Sequence, residues 1–225
     1  MGFFSKLFRR KEKQREEVAV EEVKMLGQKL ADDDFDKIAV EFGLKPAHIR
    51  AIFTVEAGGK SGFLADNPEI PVTLEEGHVF YKYLKQKGLD AANIAENYPT
   101  ICYAKWTKEF YKKGINEYSR YLLAKEIDEE CAMMATSWGM GQLMGFNYAS
   151  AGYKSVKEFV DAMYESEYNQ LRAMCKFISS NKNMYSALQN EDWAKFARLY
   201  NGPGYAANKY DEKLKKAFEK YNKVG

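Results

Sequence analysis

The sequence predicts a mainly α-helical protein with one small β element. Two observations carry this. Apolar residues recur at three- and four-residue spacing through most of the chain, in runs bounded by capping residues, glycines and prolines. Strand signals are scarce, and Pro71-Val72-Thr73-Leu74 is the best of them. The 225 residues suit one full-sized domain with a tail. Hydrophobic content of 46% and charged content of 29% fit a soluble globular protein, and five prolines with no low-complexity run argue against a disordered array. No internal repeat is present.

Taken in order, residues 1–30 read as a charged amphipathic tail and 31–225 as the folded body. Phe3, Phe4, Leu7 and Phe8 share one side of a potential helix, ringed by cations. Such a segment can lie on an anionic membrane surface; the alternative is a solvated tail that packs weakly on the body. Its apolar stretch is too short for a standard signal peptide, and no small-residue cleavage site follows. Asp34 is expected to cap a helix over Phe35, Ile38, Ala39 and Phe42, closed by Gly43. Pro46 suits the first turn of the next helix, whose face carries Ile49, Ile52, Phe53 and Glu56 before Gly58-Gly59 ends it.

Residues 61–68 read as loop, followed by the strand candidate and a helix to about Lys87. Residues 88–116, with Pro99, read as a variable loop region. One long helix is expected from about Glu117 to Ala135, burying Tyr118, Tyr121, Leu122, Cys131 and Met134 or close neighbours. A glycine-rich stretch, Ser137 to Gly145, comes next. Ser155 with Glu158 reads as a capping box opening a helix through Tyr164. Ser166 caps another bearing Leu171, Met174, Cys175 and Ile178, and helices fit 183–189, 191–200 and 211–222.

Composition also excludes classes. A net charge of +2, without a basic stripe, does not suit a nucleic-acid binder. Cys102, Cys131 and Cys175 are odd in number and lack a CxxC spacing, so they read as buried thiols of a reducing compartment. His48 and His78 without clustered cysteines make a zinc site improbable. No apolar run approaches the ~18 residues of a membrane span. Aromatic content of 15% can line a sugar cleft, although most of these rings are expected in the core.

Three stretches hold chemistry. Glu56 is the one carboxylate on an otherwise apolar helix face, in the last turn. Burial and the helix C-terminus both disfavour its charge, as a general acid for glycoside cleavage requires; the alternative is that it rolls to the surface at a frayed end. In Ser137 to Gly145, three glycines surround Gln142 and Met144. They imply φ > 0 turns, a close backbone approach to a ligand, or a tight helix-helix corner. Arg198 to Tyr205 ends a helix at Asn201-Gly202-Pro203-Gly204, either as a plain turn or as a rim where Tyr200 and Asn201 hold a sugar's acetamido group.

Together these stretches resemble lysozyme-like muramidases and lytic transglycosylases, and more closely the N-acetylmuramidase family found in phage endolysins. The likeness rests on Glu56 with Gly58-Gly59 and Phe63, on Ser137-Trp138-Gly139-Met140-Gly141-Gln142-Leu143-Met144, and on Tyr200-Asn201-Gly202-Pro203-Gly204, in that order. It spans about residues 35–220.

The resemblance implies a lysozyme-like helical domain that cleaves the β-1,4 bond between N-acetylmuramic acid and N-acetylglucosamine in peptidoglycan. No cofactor or metal is implied, and the partner is the glycan strand, bound by a monomer. Glu56 stands where the family's general acid stands, and Phe63, His78, Ser137, Gly139, Gln142, Tyr200 and Asn201 match substrate-side positions. Glu76 and His78 match a Glu-x-His pattern, although Glu75 replaces an expected aromatic and Gly77 precedes His78. A second catalytic carboxylate would be Glu76; otherwise Glu76 orients its loop or pairs with a cation. Without a second acid the substrate's acetamido oxygen can assist, as in a transglycosylase giving 1,6-anhydro products. A non-catalytic peptidoglycan-binding module is the rival of another class. An endolysin of this kind would gather in the cytoplasm and reach the wall after release, unless the tail holds it at the inner membrane.

Overall fold

The computed structural model describes residues 26–223. The membrane contact expected of residues 1–25 falls outside them. Helix α1 (Asp34–Phe42) and helix α2 (Pro46–Glu56) form where the apolar spacing places them. Asp34 does not cap α1 as expected. It occupies the first helical position, its carboxylate accepting from the Ala31 N–H at 2.9 Å, while Asp33 stands at the cap without capping a backbone N–H and pairs with Lys37 instead. Helix α2 opens at Pro46, and the buried His48 imidazole closes its first turn by accepting from the Lys45 N–H at 3.2 Å. Burial lowers the pKa of that imidazole to about 4.

The β element is larger than the single strand expected. Strands β1 (Thr73–Glu75), β2 (Thr136–Trp138) and β3 (Leu143–Met144) form an antiparallel sheet in the order β1-β2-β3. Thr73 pairs with Trp138, and Ser137 pairs with both Leu74 and Met144. The glycine-rich stretch is therefore a hairpin, not a corner between helices. Strands of two or three residues are too short for alternation to declare them.

Helix α3 (Gly77–Gln86) leads away from the sheet, and α4 (Ala91–Asn97) occupies part of what reads as loop. Asp90 caps α4 by accepting from the Asn93 N–H at 3.1 Å. The long helix expected over 117–135 is two, α5 (Ile115–Ile127) and α6 (Glu129–Ala135). Asp128 divides them: its backbone is extended, and its side chain caps α6 by accepting from the Cys131 N–H at 2.9 Å. Tyr121 and Cys131 are buried as expected, whereas Leu122 is exposed.

Helices α7 (Val156–Glu165), α8 (Glu167–Ser180), α9 (Lys182–Gln189), α10 (Trp193–Asn201) and α11 (Tyr210–Asn222) complete the described chain. Ser155 and Ser166 cap α7 and α8. The three cysteines are free and buried. Among the described residues no helix is long and apolar enough to cross a membrane.

Two apolar cores divide the interior. The first gathers Ile38, Ile49, Ile52, Leu171, Phe196, Leu214 and Phe218 between α1, α2 and α8–α11. The second gathers Phe80, Leu84, Tyr121, Trp138, Phe159 and Met163 between α3, α5–α7 and the sheet. Helix α8 serves both, Leu171 and Met174 in one and Ala173 in the other.

Residues just before 31 bond to the helices: Gly27 and Gln28 donate to the Tyr164 and Glu165 carbonyls, and the Leu30 N–H reaches the Glu167 carboxylate at 3.0 Å.

Candidate active site

Glu56 is the last residue of α2. Ile49 and Ile52 fix the inward face, and Glu56 follows Ile52 by one turn to the rim of the first core, where it is half-buried. Burial raises its pKa above the ordinary 4.5. The helix C-terminus acts in the same sense. One group opposes them: Asn201, the last residue of α10, donates its amide N–H to Glu56 Oε1 at 3.2 Å. Beside it the half-buried Tyr200 stacks on Phe196 at 5.7 Å and meets Phe177 edge-on. Burial and the Glu56 charge both push the Tyr200 hydroxyl pKa up, so it stays a neutral donor. Residues 145 positions apart thus build one corner.

The sheet supplies a second group. Ser137, buried on β2, donates to Gln142 Oε1 at 2.9 Å. Gln142 is exposed, and its φ of 47° lies in the left-handed region that non-glycine residues avoid. Its amide N–H groups hold that conformation by donating to the carbonyls of Gly139 (2.9 Å) and Val72 (3.2 Å). Such strain collects at functional sites. Gly139 has φ 69°, and a Cβ there would stand 2.7 Å from the Gln170 side chain. The close approach this glycine permits is therefore to the protein's own buried glutamine. Gln170 accepts from the Met140 N–H (2.9 Å) and donates to the Met163 carbonyl (2.8 Å), fixing the hairpin turn on α8.

Glu76 and His78 form a third group at the start of α3. Glu76 Oε2 accepts from the Tyr111 hydroxyl at 2.7 Å. His78 Nδ1 lies 3.3 Å from the same oxygen, out of line for a hydrogen bond, and its ring stacks on Tyr103. Gly77 between them is forced, since a Cβ would fall 2.3 Å from the Tyr103 ring and 2.8 Å from the Ile101 carbonyl oxygen.

Phe63, in the loop after α2, is 2% exposed and lies under the Lys29 ammonium, 5.1 Å from its ring centroid. An aromatic ring in a loop suits a core as well as a cleft.

Sequence reasoning also missed the groups that hold this region. Arg120 is buried and donates to Glu75 Oε2 (2.6 Å), Glu117 Oε1 (2.6 Å) and the Thr100 carbonyl (2.8 Å). Glu75, which replaces an expected aromatic, is fully buried in that network. Only the three-residue spacing of Glu117 and Arg120 on one helix face hinted at it. Glu167 is a second hub, accepting from the Ser61 hydroxyl (2.6 Å) and the Gly62 N–H (3.1 Å) to fix the loop after α2. Among the described residues no cluster of three His, Cys, Asp or Glu is placed to hold a metal.

A helical domain with a small antiparallel sheet, and a desolvated carboxyl group at a helix end, are what a lysozyme-like glycoside hydrolase requires. Comparison carries this further. The family described as N-acetylmuramidase matches residues 45–222, and the chain belongs to that family. It is a peptidoglycan hydrolase, cleaving the β-1,4 bond between N-acetylmuramic acid and N-acetylglucosamine. Among solved structures, the chain is similar to the crystal structure of Burkholderia AP3 phage endolysin, with a TM-score of 0.80 and 41% identity, covering 87% of this chain and 73% of that one. No curated protein matches the sequence.

Proposed function

We propose that Glu56 is the general acid of this muramidase, and that the chain works as an endolysin, made inside the cell and acting on the wall after release. The observation that carries the first reading is the half-buried Glu56 carboxyl, its pKa raised, with a neutral amide as its hydrogen-bond partner. A carboxyl in that state can protonate the leaving glycosidic oxygen near neutral pH. Tyr200, Asn201 and Gln142 position the glycan, with Ser137 and Gly139 shaping the sheet side beneath it. The endolysin role is supported by the likeness to a phage endolysin over most of the chain.

Glu76 takes the orienting role in this reading. Its carboxylate is engaged by Tyr111, so it ties the segment before α5 to the sheet. As the leaving group departs, the substrate's own acetamido oxygen closes on the anomeric carbon; water then opens that ring at the same carbon, and its proton restores the Glu56 carboxyl.

The test is mass spectrometry of purified peptidoglycan and of permeabilised cells treated with wild type, Glu56→Gln and Glu76→Gln. Wild type is expected to release muropeptides ending in reducing N-acetylmuramic acid. Glu56→Gln should lose at least about 10²-fold in rate, and Glu76→Gln should retain turnover. Equal product from Glu56→Gln and wild type would mean that another group is the acid. Loss in both variants would restore Glu76 as a second catalytic carboxylate. Anhydro ends would make the reaction a transglycosylation, and intact permeabilised cells would remove the lytic role.

A further inference from the structure

Residues 98–114, between α4 and α5, hold no helix or strand, yet both ends are pinned by one buried side chain. Arg120 donates from Nε and Nη2 to the Thr100 carbonyl at the start of the segment. Its guanidinium lies 6.0 Å from the centroid of the Tyr111 ring near the end. Glu117, paired with Arg120, accepts from the Lys112 N–H at 2.6 Å. In the interior of the segment, Tyr103 packs on Phe110 at 5.4 Å and on His78.

One residue of this held segment faces outward. Trp106 is 62% exposed, whereas the other two tryptophans, Trp138 and Trp193, are 1% and 8% exposed. The Trp106 indole lies against the Tyr111 hydroxyl, and Tyr111 in turn donates to Glu76. An exposed ring beside a hydroxyl that is itself bound to a carboxylate combines two features. Its apolar face can cover the C–H face of a sugar, and its polar edge can bind hydroxyl or amide groups. A tryptophan left open on a segment that is otherwise held in place can anchor a ligand that covers it.

We propose that Trp106 is the stacking platform of a sugar subsite for the peptidoglycan glycan, with Tyr111, Glu76 and His78 at its polar edge and Arg120 holding the segment in place. This rests on the muramidase reading of the protein and names a residue that determines glycan binding. Trp106 contributes to binding and not to proton transfer, so its loss acts on substrate affinity.

The decisive experiment measures turnover against wall concentration for wild type, Trp106→Ala and Trp106→Phe. Trp106→Ala is expected to need about tenfold more wall for half-maximal rate, with its maximal rate close to that of wild type, and Trp106→Phe should recover most of the loss. A second measurement keeps the wild-type ring. Because Trp106 is the exposed tryptophan of three, acrylamide-quenchable emission reports on it. Soluble glycan fragments added to the Glu56→Gln protein should shift that emission to the blue and shield it from quencher.

Unchanged kinetics in Trp106→Ala, or a fall in maximal rate alone, would overturn the proposal while leaving the muramidase intact. Binding of fragments by calorimetry without any change in emission would do the same. A wild-type protein without turnover would instead remove the reading on which the subsite rests.

Discussion

Glu56 and Glu75 are both carboxyl groups taken out of water, one in each half of the molecule, and the two halves treat them differently. Glu75 is fully buried in the second core and sits against a guanidinium at 2.6 Å. Arg120 answers for Glu75 and Glu117 together, and burial still pushes the Glu75 pKa well above its ordinary value. Glu56 is less buried, yet among the described residues no cation pairs with it; a neutral amide is its hydrogen-bond partner. The contrast separates two uses of a desolvated acid. Where the carboxyl group builds structure, the fold places a cation against it. Where it is to hold a transferable proton, the fold leaves out the cation that would strip the proton away.

The largest effect is expected at the structural pair. Arg120→Met leaves Glu75 and Glu117 buried without their cation and frees both ends of segment 98–114. It should cost about 3–5 kcal/mol, read from urea midpoints at neutral pH. A loss under about 1 kcal/mol would mean that the second half does not depend on this network.

Glu56→Gln should move stability the other way. Because the folded pKa of Glu56 lies above its unfolded value, the folded state binds more protons between the two, and wild-type stability falls as pH rises through that window. Glutamine does not titrate. The variant should therefore unfold at higher denaturant than wild type at neutral pH, with the gain vanishing below the ordinary glutamate value of 4.5. A variant less stable than wild type at pH 7 would show that Glu56 is held by favourable contacts instead.

The smallest effect is at Asn201. Its hydrogen bond favours the charged form of Glu56, so Asn201→Ala should raise the Glu56 pKa further. The alkaline limb of the pH–rate profile should then move to higher pH. A limb moving to lower pH would deny that this contact tunes the acid.

The first half was more legible in the sequence than the second, for a physical reason. Helix α2 declares itself through contacts three and four residues apart, with Pro46 before it and Gly58-Gly59 after, so Glu56 could be placed on its face without knowledge of the rest. Tyr200 and Asn201 were found at a helix stop, although their meeting with Glu56 is a long-range contact that spacing does not encode. The network in the second half joins Glu75 to Arg120 across 45 positions, and its strands are too short for alternation to show.

Helix α8 belongs to both cores, and this has a consequence for how the enzyme comes apart. Leu171 and Met174 would have to leave one interior, and Ala173 the other, for that helix to separate. The acid-bearing half and the sheet-bearing half therefore share a structural member and should melt as one cooperative unit, without a lobe that opens alone. Partial unfolding is then left to chain ends and connecting loops, and the corner formed by Glu56, Tyr200 and Asn201 persists for as long as the whole protein does.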